Sequence, residues 1–301
     1  MRKIVQHELG GPSVLQVVEA ERPQPGPTEV LIEVRAAGVN PVDWKVRATG
    51  GVLGQPPFTV GWDVSGVVAA VGAGVTRFVV GDEVFGMPRF PKEAAAYAEY
   101  VVGPARHFVR KPPSLTHVEA GGLALAGLTA WQVLIETADL RPGQRVLIPA
   151  AAGGVGHLAV QIAKALGAYV IGTASKQKHD FVRSLGADEV LDYRTEDISD
   201  VKGIDLAIAT VAGQLPVLTG TLRSGGLVVA LNSVDAGAVA EIGGLFILAE
   251  PDRAGLDGLT ALVTTGRLGV HVDRVLPLTD AARAHQIGEA GHTTGKIVLT
   301  P

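Results

Sequence analysis

The 301-residue chain contains no cysteine. That absence removes disulfides, thiolate zinc ligands, thiol nucleophiles and iron–sulfur clusters together, so any metal site would have to be built from histidine and carboxylates alone. The eight histidines show no HExxH or comparable spacing, and no metal is expected. Basic charge is scarce too. A net charge of -4 and a pI near 6.1 provide no surface of the kind that grips phosphate backbones, so nucleic acid is not an expected partner. Long apolar runs are missing as well: the most apolar stretch, Ala120 to Ile135, is rich in glycine and shorter than the roughly 20 residues that span a bilayer. The N-terminal MRKIVQHELGG has no apolar segment of the secretory type. The expectation is a soluble, cytoplasmic protein with no membrane partner.

What the chain does have is 47% hydrophobic and 19% charged residues, a globular composition, and a length that suits two domains of roughly 100 to 200 residues. Its 39 glycines and 18 prolines are spread without a fixed period. The first hundred residues read as short strands between turns: IVQH, VLQVVEA, EVLIEVRAAG, SGVVAAVGAGV, EVFGM and YAEYVV. Such β-branched runs bounded by Gly, Pro and Asn predict a mainly antiparallel barrel. From Ser114 the rhythm becomes helical. From Arg145 the strands RVLIP, YVIGT, EVLDY, DLAIAT, LVVAL and LFILA alternate with amphipathic or polar sequence, which predicts a parallel sheet flanked by helices. After Gly266 one more strand, a helix from Thr279 to Ala290 and the final KIVLT are free to return to the first domain.

RVLIP leads into AAAGGVG and then HLAVQIAKALG: strand, tight turn and helix, in the order of a dinucleotide-binding fingerprint. Gly153, Gly154, Val155 and Gly156 form the turn. Gly153 allows close approach of a pyrophosphate, Gly156 allows the helix to pack near the strand, and the helix N-terminus offers unpaired N–H groups to the anion. The first glycine position holds Ala151, tolerable if its φ stays negative. After the next strand, Ser175 stands where NAD-binding proteins carry an acid. With no carboxylate to repel a 2′-phosphate, and with Lys176 and Lys178 close by, the segment favours NADPH. Tyr193 and Arg194 extend the same pocket. The plain alternatives are a glycine-rich turn that binds nothing and lysines that are solvated helix-face charges.

AAAGGVGHLAVQIAKALGA, with LALAGLTAWQVL before it and FVRSLGADEVLDY after it, resembles the medium-chain dehydrogenase/reductase superfamily, in its zinc-independent quinone and enone reductase branch of the zeta-crystallin type. VLIEVRAAGVNPVDWKVR, PFTVGWDVSGVV, GDEVFGM, AYAEYVVGP and GKIVL extend the resemblance over nearly the whole chain. It implies an α/β protein with a GroES-like β-barrel catalytic domain over 1–113 and 268–301. A Rossmann NADP-binding domain over 114–267 is inserted into it, and cofactor and substrate meet in a cleft. The zinc-dependent relatives carry a Cys after the Gly-Val that here precedes Asn40, and a His where this chain has Trp62. Neither ligand is present, and without a Lewis acid to make an alkoxide the hydride is expected to go to a quinone or to the conjugated C=C of an α,β-unsaturated carbonyl.

The resemblance implies further site residues. Asn40 falls near the nicotinamide, as a cofactor contact or as a donor to an enolate oxygen; its bland reading is a turn residue before Pro41. Asp43 is expected to fix this loop. Where many relatives have a tyrosine soon after that Asp, this chain has Trp44 and Lys45, and Lys45 becomes a candidate donor. Trp62 is a candidate wall of the cleft or a core aromatic. Thr129, Asn232, Phe246 and Lys296 are candidate cofactor contacts, Lys296 toward a phosphate, although the branch often has its basic residue at the position of Thr294. LFILA suits an edge strand that pairs two nucleotide sheets in a homodimer. The alternatives in function are a pathway-specific enoyl or ketone reductase and a non-catalytic NADPH-sensing binding protein.

Overall fold

The structure, a computed structural model, describes residues 1–301. The chain divides into two compact units, Met1–Leu128 with Glu250–Thr264 and Val270–Pro301, and Thr129–Ala249 with Thr265–Gly269.

The first unit begins with β1 (Arg2–Val5) and β2 (Gln16–Glu19), an antiparallel pair. Next come β3 (Glu29–Val39), β4 (Asp63–Val71), β5 (Glu83–Gly86), β6 (Tyr100–Pro104) and β7 (Phe108–Arg110). Between β3 and β4 lies helix α1 (Pro41–Thr49). β3 is the hub, pairing antiparallel with both β4 and β6. Its residues are buried from Val30 to Ile32 and again from Ala36 to Val39, so both faces of the hub strand are covered over most of its length.

The unit continues past residue 113, where the resemblance sets the domain end, because helix α2 (His117–Gly121) lies directly on this sheet. A Cβ on Gly121 would come within 2.7 Å of the Ala36 Cβ, and one on Gly38 within 2.5 Å of the Gly121 carbonyl oxygen. Two small residues are therefore needed at this crossing. Helix α3 (Ala124–Trp131) follows.

The second unit holds a six-stranded parallel sheet made from β8 (Arg145–Ile148), β9 (Tyr169–Ala174), β10 (Glu189–Asp192), β11 (Ile204–Ala209), β12 (Leu222–Ala230) and β13 (Leu245–Phe246). Its order is β10-β9-β8-β11-β12-β13, so the order reverses between β8 and β11, the switch point at which open α/β sheets bind ligands. Helices α4 (Gly156–Ala165), α5 (His179–Ser184), α6 (Leu215–Thr219) and α7 (Ala236–Glu241) connect these strands. Leu147, Ile171, Ala207, Ala209, Leu218, Val228 and Val239 form one buried cluster; strands apolar on both faces are what a sheet covered by helices requires.

Helix α8 (Arg253–Thr264) returns to the first unit, where Leu259 packs so closely on Gly127 that a Cβ there would sit 2.8 Å from its Cδ1. Residues 265–269 stay with the second unit through Gln161, whose amide donates to the Gly269 carbonyl at 2.9 Å and accepts from its N–H at 2.8 Å. Then β14 (Val272–Pro277), α9 (Ala281–Glu289) and β15 (Lys296–Thr300) close the chain. β15 pairs antiparallel with β3, Ile297 opposite Val39, and completes a seven-stranded sheet. No helix is long and apolar enough to cross a membrane.

Candidate functional site

In the second unit, the turn after β8 has the geometry of an anion cradle. Ala150 adopts a left-handed φ of 49° and turns its carbonyl toward the start of α4, where a Cβ on Gly156 would lie 2.3 Å from that oxygen. Only glycine fits there. Gly153 is less crowded, with 3.1 Å to the same oxygen. Ala151 replaces the first glycine at no cost because it does not take a positive φ and because the strand beside it carries Gly172, whose absent Cβ would otherwise meet the Ala151 Cβ at 2.8 Å. His157 is buried and bonds the Gly153 carbonyl through Nδ1 at 2.9 Å, which ties the turn to the helix. At the start of α4 the His157 N–H donates to the Gly153 carbonyl at 3.0 Å, and the Leu158 and Ala159 N–H groups converge on the Val155 carbonyl.

The parallel register sets Ala174 beside Asp192, so Ser175 through Lys178 and Tyr193 with Arg194 emerge side by side at the ends of β9 and β10. Tyr193 is 51% exposed and the Arg194 guanidinium stacks on its ring at 5.6 Å. Ser175 and Lys178 are half-buried and Lys176 is exposed. The buried carboxylate of Asp192 accepts the Arg194 N–H at 3.1 Å and belongs to its own loop. A glycine-lined turn, a helix N-terminus and a strand end with hydroxyl and ammonium groups in place of an acid fit a dinucleotide with a 2′-phosphate.

Both ends of the Asn232 amide are engaged by Asp235, at 2.8 and 3.0 Å, so this side chain holds a turn after β12. Phe246 packs on the core cluster, and Thr129 is half-buried in α3.

In the first unit, Asn40 is brought together with Asp43 and Lys296 and with Asp63, which the sequence did not single out. Asn40 starts α1, and its N–H donates to Asp43 Oδ2 at 2.6 Å. Its side-chain Nδ2 donates to Asp63 Oδ2 at 2.9 Å, and its Oδ1 accepts from Lys296 Nζ at 2.5 Å. Lys296 also donates to the Val39 carbonyl at 3.1 Å and lies 3.5 Å from Asp63. Asp63 Oδ1 accepts the Leu125 N–H at 2.5 Å. The expected contact of Lys296 with a cofactor phosphate is corrected accordingly: the residue is 2% exposed and its ammonium is engaged by internal acceptors, as a buried charge requires. Burial lowers its pKa, opposed by Asp63 and Asp43.

A second chain of bonds runs behind Asn40. Arg47 donates to His285 Nδ1 at 3.2 Å, His285 Nε2 meets the Tyr97 hydroxyl at 3.2 Å, and that hydroxyl donates to Asp43 Oδ2 at 3.0 Å. Since guanidinium can only donate, Nδ1 must accept, and the imidazole is the neutral Nε2–H tautomer. Burial, then the neighbouring Arg47 charge, push the His285 pKa down to about 3. Burial raises Asp43 to about 7 against the hydrogen bonds from Asn40 and Tyr97, and it holds Tyr97 well above the usual phenol range, with Asp43 adding to the effect. Arg47 is anchored by Glu289 at 2.7 Å and the Gly10 carbonyl at 3.0 Å. Asp43 thus fixes the loop, as expected of it.

Trp44 is half-buried against α9, edge-on to His285 with centroids 6.2 Å apart. Lys45 is exposed. Trp62 is 0% exposed, donates Nε1–H to the Lys92 carbonyl and packs edge-on with Phe90, so of its two readings the core aromatic is the one seen, and a wall open to substrate is not. Asp63 and Lys296 had a signal that was available: one acid and one base, each alone in an apolar strand, imply a buried pair. Tyr97 and His285 had none, because only the packing of α9 on α1 brings them together.

A parallel sheet with a phosphate turn at its switch point in one unit, and a polar cluster at one end of the hub strand in the other, define a dinucleotide-dependent oxidoreductase. Comparison with known proteins agrees. Residues 26–113 match the model of the alcohol dehydrogenase GroES-like domain and residues 185–299 that of zinc-binding dehydrogenases. The chain is 34% identical to the chloroplast envelope quinone oxidoreductase homolog of Arabidopsis thaliana over 97% of this chain and 95% of that protein. It is 34% identical to the chloroplastic NADPH-dependent alkenal/one oxidoreductase of the same plant over 100% of this chain and 80% of the relative. The solved quinone oxidoreductase from Coxiella burnetii superimposes with a TM-score of 0.94 at 35% identity, covering 100% of this chain and 99% of that one. The protein belongs to the quinone and enone oxidoreductase branch of the medium-chain dehydrogenase/reductase superfamily.

Proposed function

We propose that this protein is an NADPH-dependent reductase of quinones and α,β-unsaturated carbonyl compounds that works without zinc. The observation that carries the reading is the phosphate turn with its Gly156 cradle, followed by a strand that ends in Ser175 rather than an acid. Gly153 to Gly156 and the α4 N-terminus would hold the pyrophosphate, and Ser175, Lys178 and Tyr193 the 2′-phosphate end. When bound, NADPH supplies the hydride. Support for zinc independence comes from the donor set: there is no cysteine, Trp62 stands where the resemblance implies a histidine in zinc-dependent relatives, and no three His, Asp or Glu side chains gather into a group able to hold a metal.

An acceptor that is already electrophilic needs no Lewis acid. Reduction of a conjugated C=C moves charge onto the carbonyl oxygen, and such an enolate is stabilised by fixed hydrogen-bond donors. Asn40 is the donor we assign. Asp43, whose pKa is raised by burial and whose Oδ2 is engaged by Asn40 and Tyr97, holds the loop and takes no proton from substrate. Lys45, exposed to solvent, is left as a source of the final proton alongside water.

We also assign a homodimer in which β13, one of the two edge strands of the parallel sheet, pairs with its counterpart; Leu245 is 45% exposed there and Ile242 and Leu248 are exposed nearby. Light scattering during size exclusion checks this. The function is tested by absorbance at 340 nm with NADPH, then NADH, against quinones, enones, aldehydes and alcohols. Rapid NADPH loss with a quinone or enone, unchanged by a chelator, is expected. NADPH binding with no turnover on any acceptor would refute the reading in favour of a cofactor-sensing protein.

A further inference from the structure

Three segments remote in sequence place unlike charges at the two ends of one amide. Lys296 Nζ lies 2.5 Å from Asn40 Oδ1, and Asp63 Oδ2 lies 2.9 Å from Asn40 Nδ2. We propose that Lys296 and Asp63 are positioning residues that lock the Asn40 amide in one orientation, so that it offers an N–H and not a carbonyl oxygen to the reacting oxygen. This rests on the reading that Asn40 is the donor.

The chemistry of the two partners leaves no second arrangement. An ammonium has donors only and an ionised carboxylate acceptors only. Turning the amide by half a rotation would set its NH₂ against Lys296 and its oxygen against Asp63, losing both hydrogen bonds and creating two repulsions. The clamp is itself rigid. Lys296 is also held by the Val39 carbonyl at 3.1 Å, Asp63 by the Leu125 N–H at 2.5 Å, and the Asn40 backbone by Asp43 at 2.6 Å. A group preorganised in this way needs no reorientation as charge develops. A buried ion pair is not required for stability alone, since neutral replacements often serve as well.

The test compares Lys296→Met/Asp63→Asn with Asn40→Ala and wild type. The double variant removes both charges; with its amide oxygen kept on the Leu125 N–H, its NH₂ faces Asn40 and no longer holds the amide in the wild-type sense. Three quantities are read: melting temperature, NADPH affinity from the fluorescence of the bound cofactor, and the single-turnover rate of NADPH oxidation. Expected for the double variant are melting close to wild type, NADPH affinity within about threefold, and a turnover step slowed at least tenfold. Oxidation as fast as in wild type, or affinity lost in step with rate, would overturn the clamp. If Asn40→Ala itself oxidises NADPH at the wild-type rate, the donor reading fails, and the clamp with it; a slow Asn40→Ala beside a fast double variant rejects the clamp alone. A measurement on wild type stands if the double variant does not fold. The side-chain NH₂ of Asn40, identified by its loss in Asn40→Ala, should show one strongly downfield proton from the bond to Asp63; two unshifted protons would overturn the proposal.

Discussion

Asp43 and His285 sit at the two ends of the Tyr97 hydroxyl and respond to pH in opposite senses. Burial lifts Asp43 from 3.8 to about 7, so folding favours its protonated form. Its contribution is fully present below about pH 4 and is lost as pH rises through 7, in all roughly 4 kcal/mol at about 1.4 kcal/mol per unit. Burial and Arg47 depress His285 from 6.5 to about 3; its contribution is present above pH 6.5 and lost as pH falls toward 3. Between about pH 4 and 6.5 the two slopes cancel, and wild type should show little pH dependence from this network.

Asp43→Asn breaks the balance. The amide oxygen can take the place of Oδ2 and keep the bonds from Asn40 and Tyr97, while the NH₂ falls where Oδ1 has no partner, at a cost of about 1–3 kcal/mol. With only His285 left to titrate, the variant should lose roughly 2–3 kcal/mol between pH 6.5 and 4.5. Above pH 7 it should recover relative to wild type. Urea unfolding followed by tryptophan fluorescence at a series of pH values reads this directly, since Trp44 and Trp62 lie in the same unit as Asp43. Stability curves of wild type and variant that run parallel from pH 4 to 8 would refute the opposed titration.

Gly156→Ala should raise the Kd for NADPH at least tenfold, read from cofactor fluorescence with circular dichroism as the folding check, because the added methyl has only a backbone carbonyl 2.3 Å away. Ser175→Asp should shift the NADPH over NADH preference at least tenfold toward NADH at 340 nm, about 1.4 kcal/mol, by repelling the 2′-phosphate. Gly288→Ala sets a Cβ 2.6 Å from Trp44 Cζ3 and should destabilise by about 1–3 kcal/mol in urea, a direct check on the packing of α1 against α9. Lys296→Met alone leaves the Asp63 carboxylate buried without its ion partner and should cost about 3–5 kcal/mol, much of it recovered when Asp63→Asn is added.

Much of this protein was written in local pattern. Alternating apolar strands and amphipathic segments, the GGVG turn before HLAVQIAKALG, and Ser175 where an acid is common are short-range features, and short-range features set element type, phosphate geometry and cofactor preference. The absence of cysteine likewise limited the metal chemistry before any fold was known. Tertiary structure decided the rest, because it depends on which remote residues meet. Gly172 accommodates Ala151 from the neighbouring strand, and Gly121 seats α2 on β3 and moves the boundary of the first unit past residue 113. β15 pairing with β3 puts the Lys296 ammonium against Asn40 and Asp63 instead of a phosphate. The packing of α9 on α1 joins Arg47, His285, Tyr97 and Asp43 into one line of hydrogen bonds. A lone lysine or histidine in a sequence carries no sign of its partner; its charge state and role follow from burial and from the groups that folding sets within about 3 Å of it.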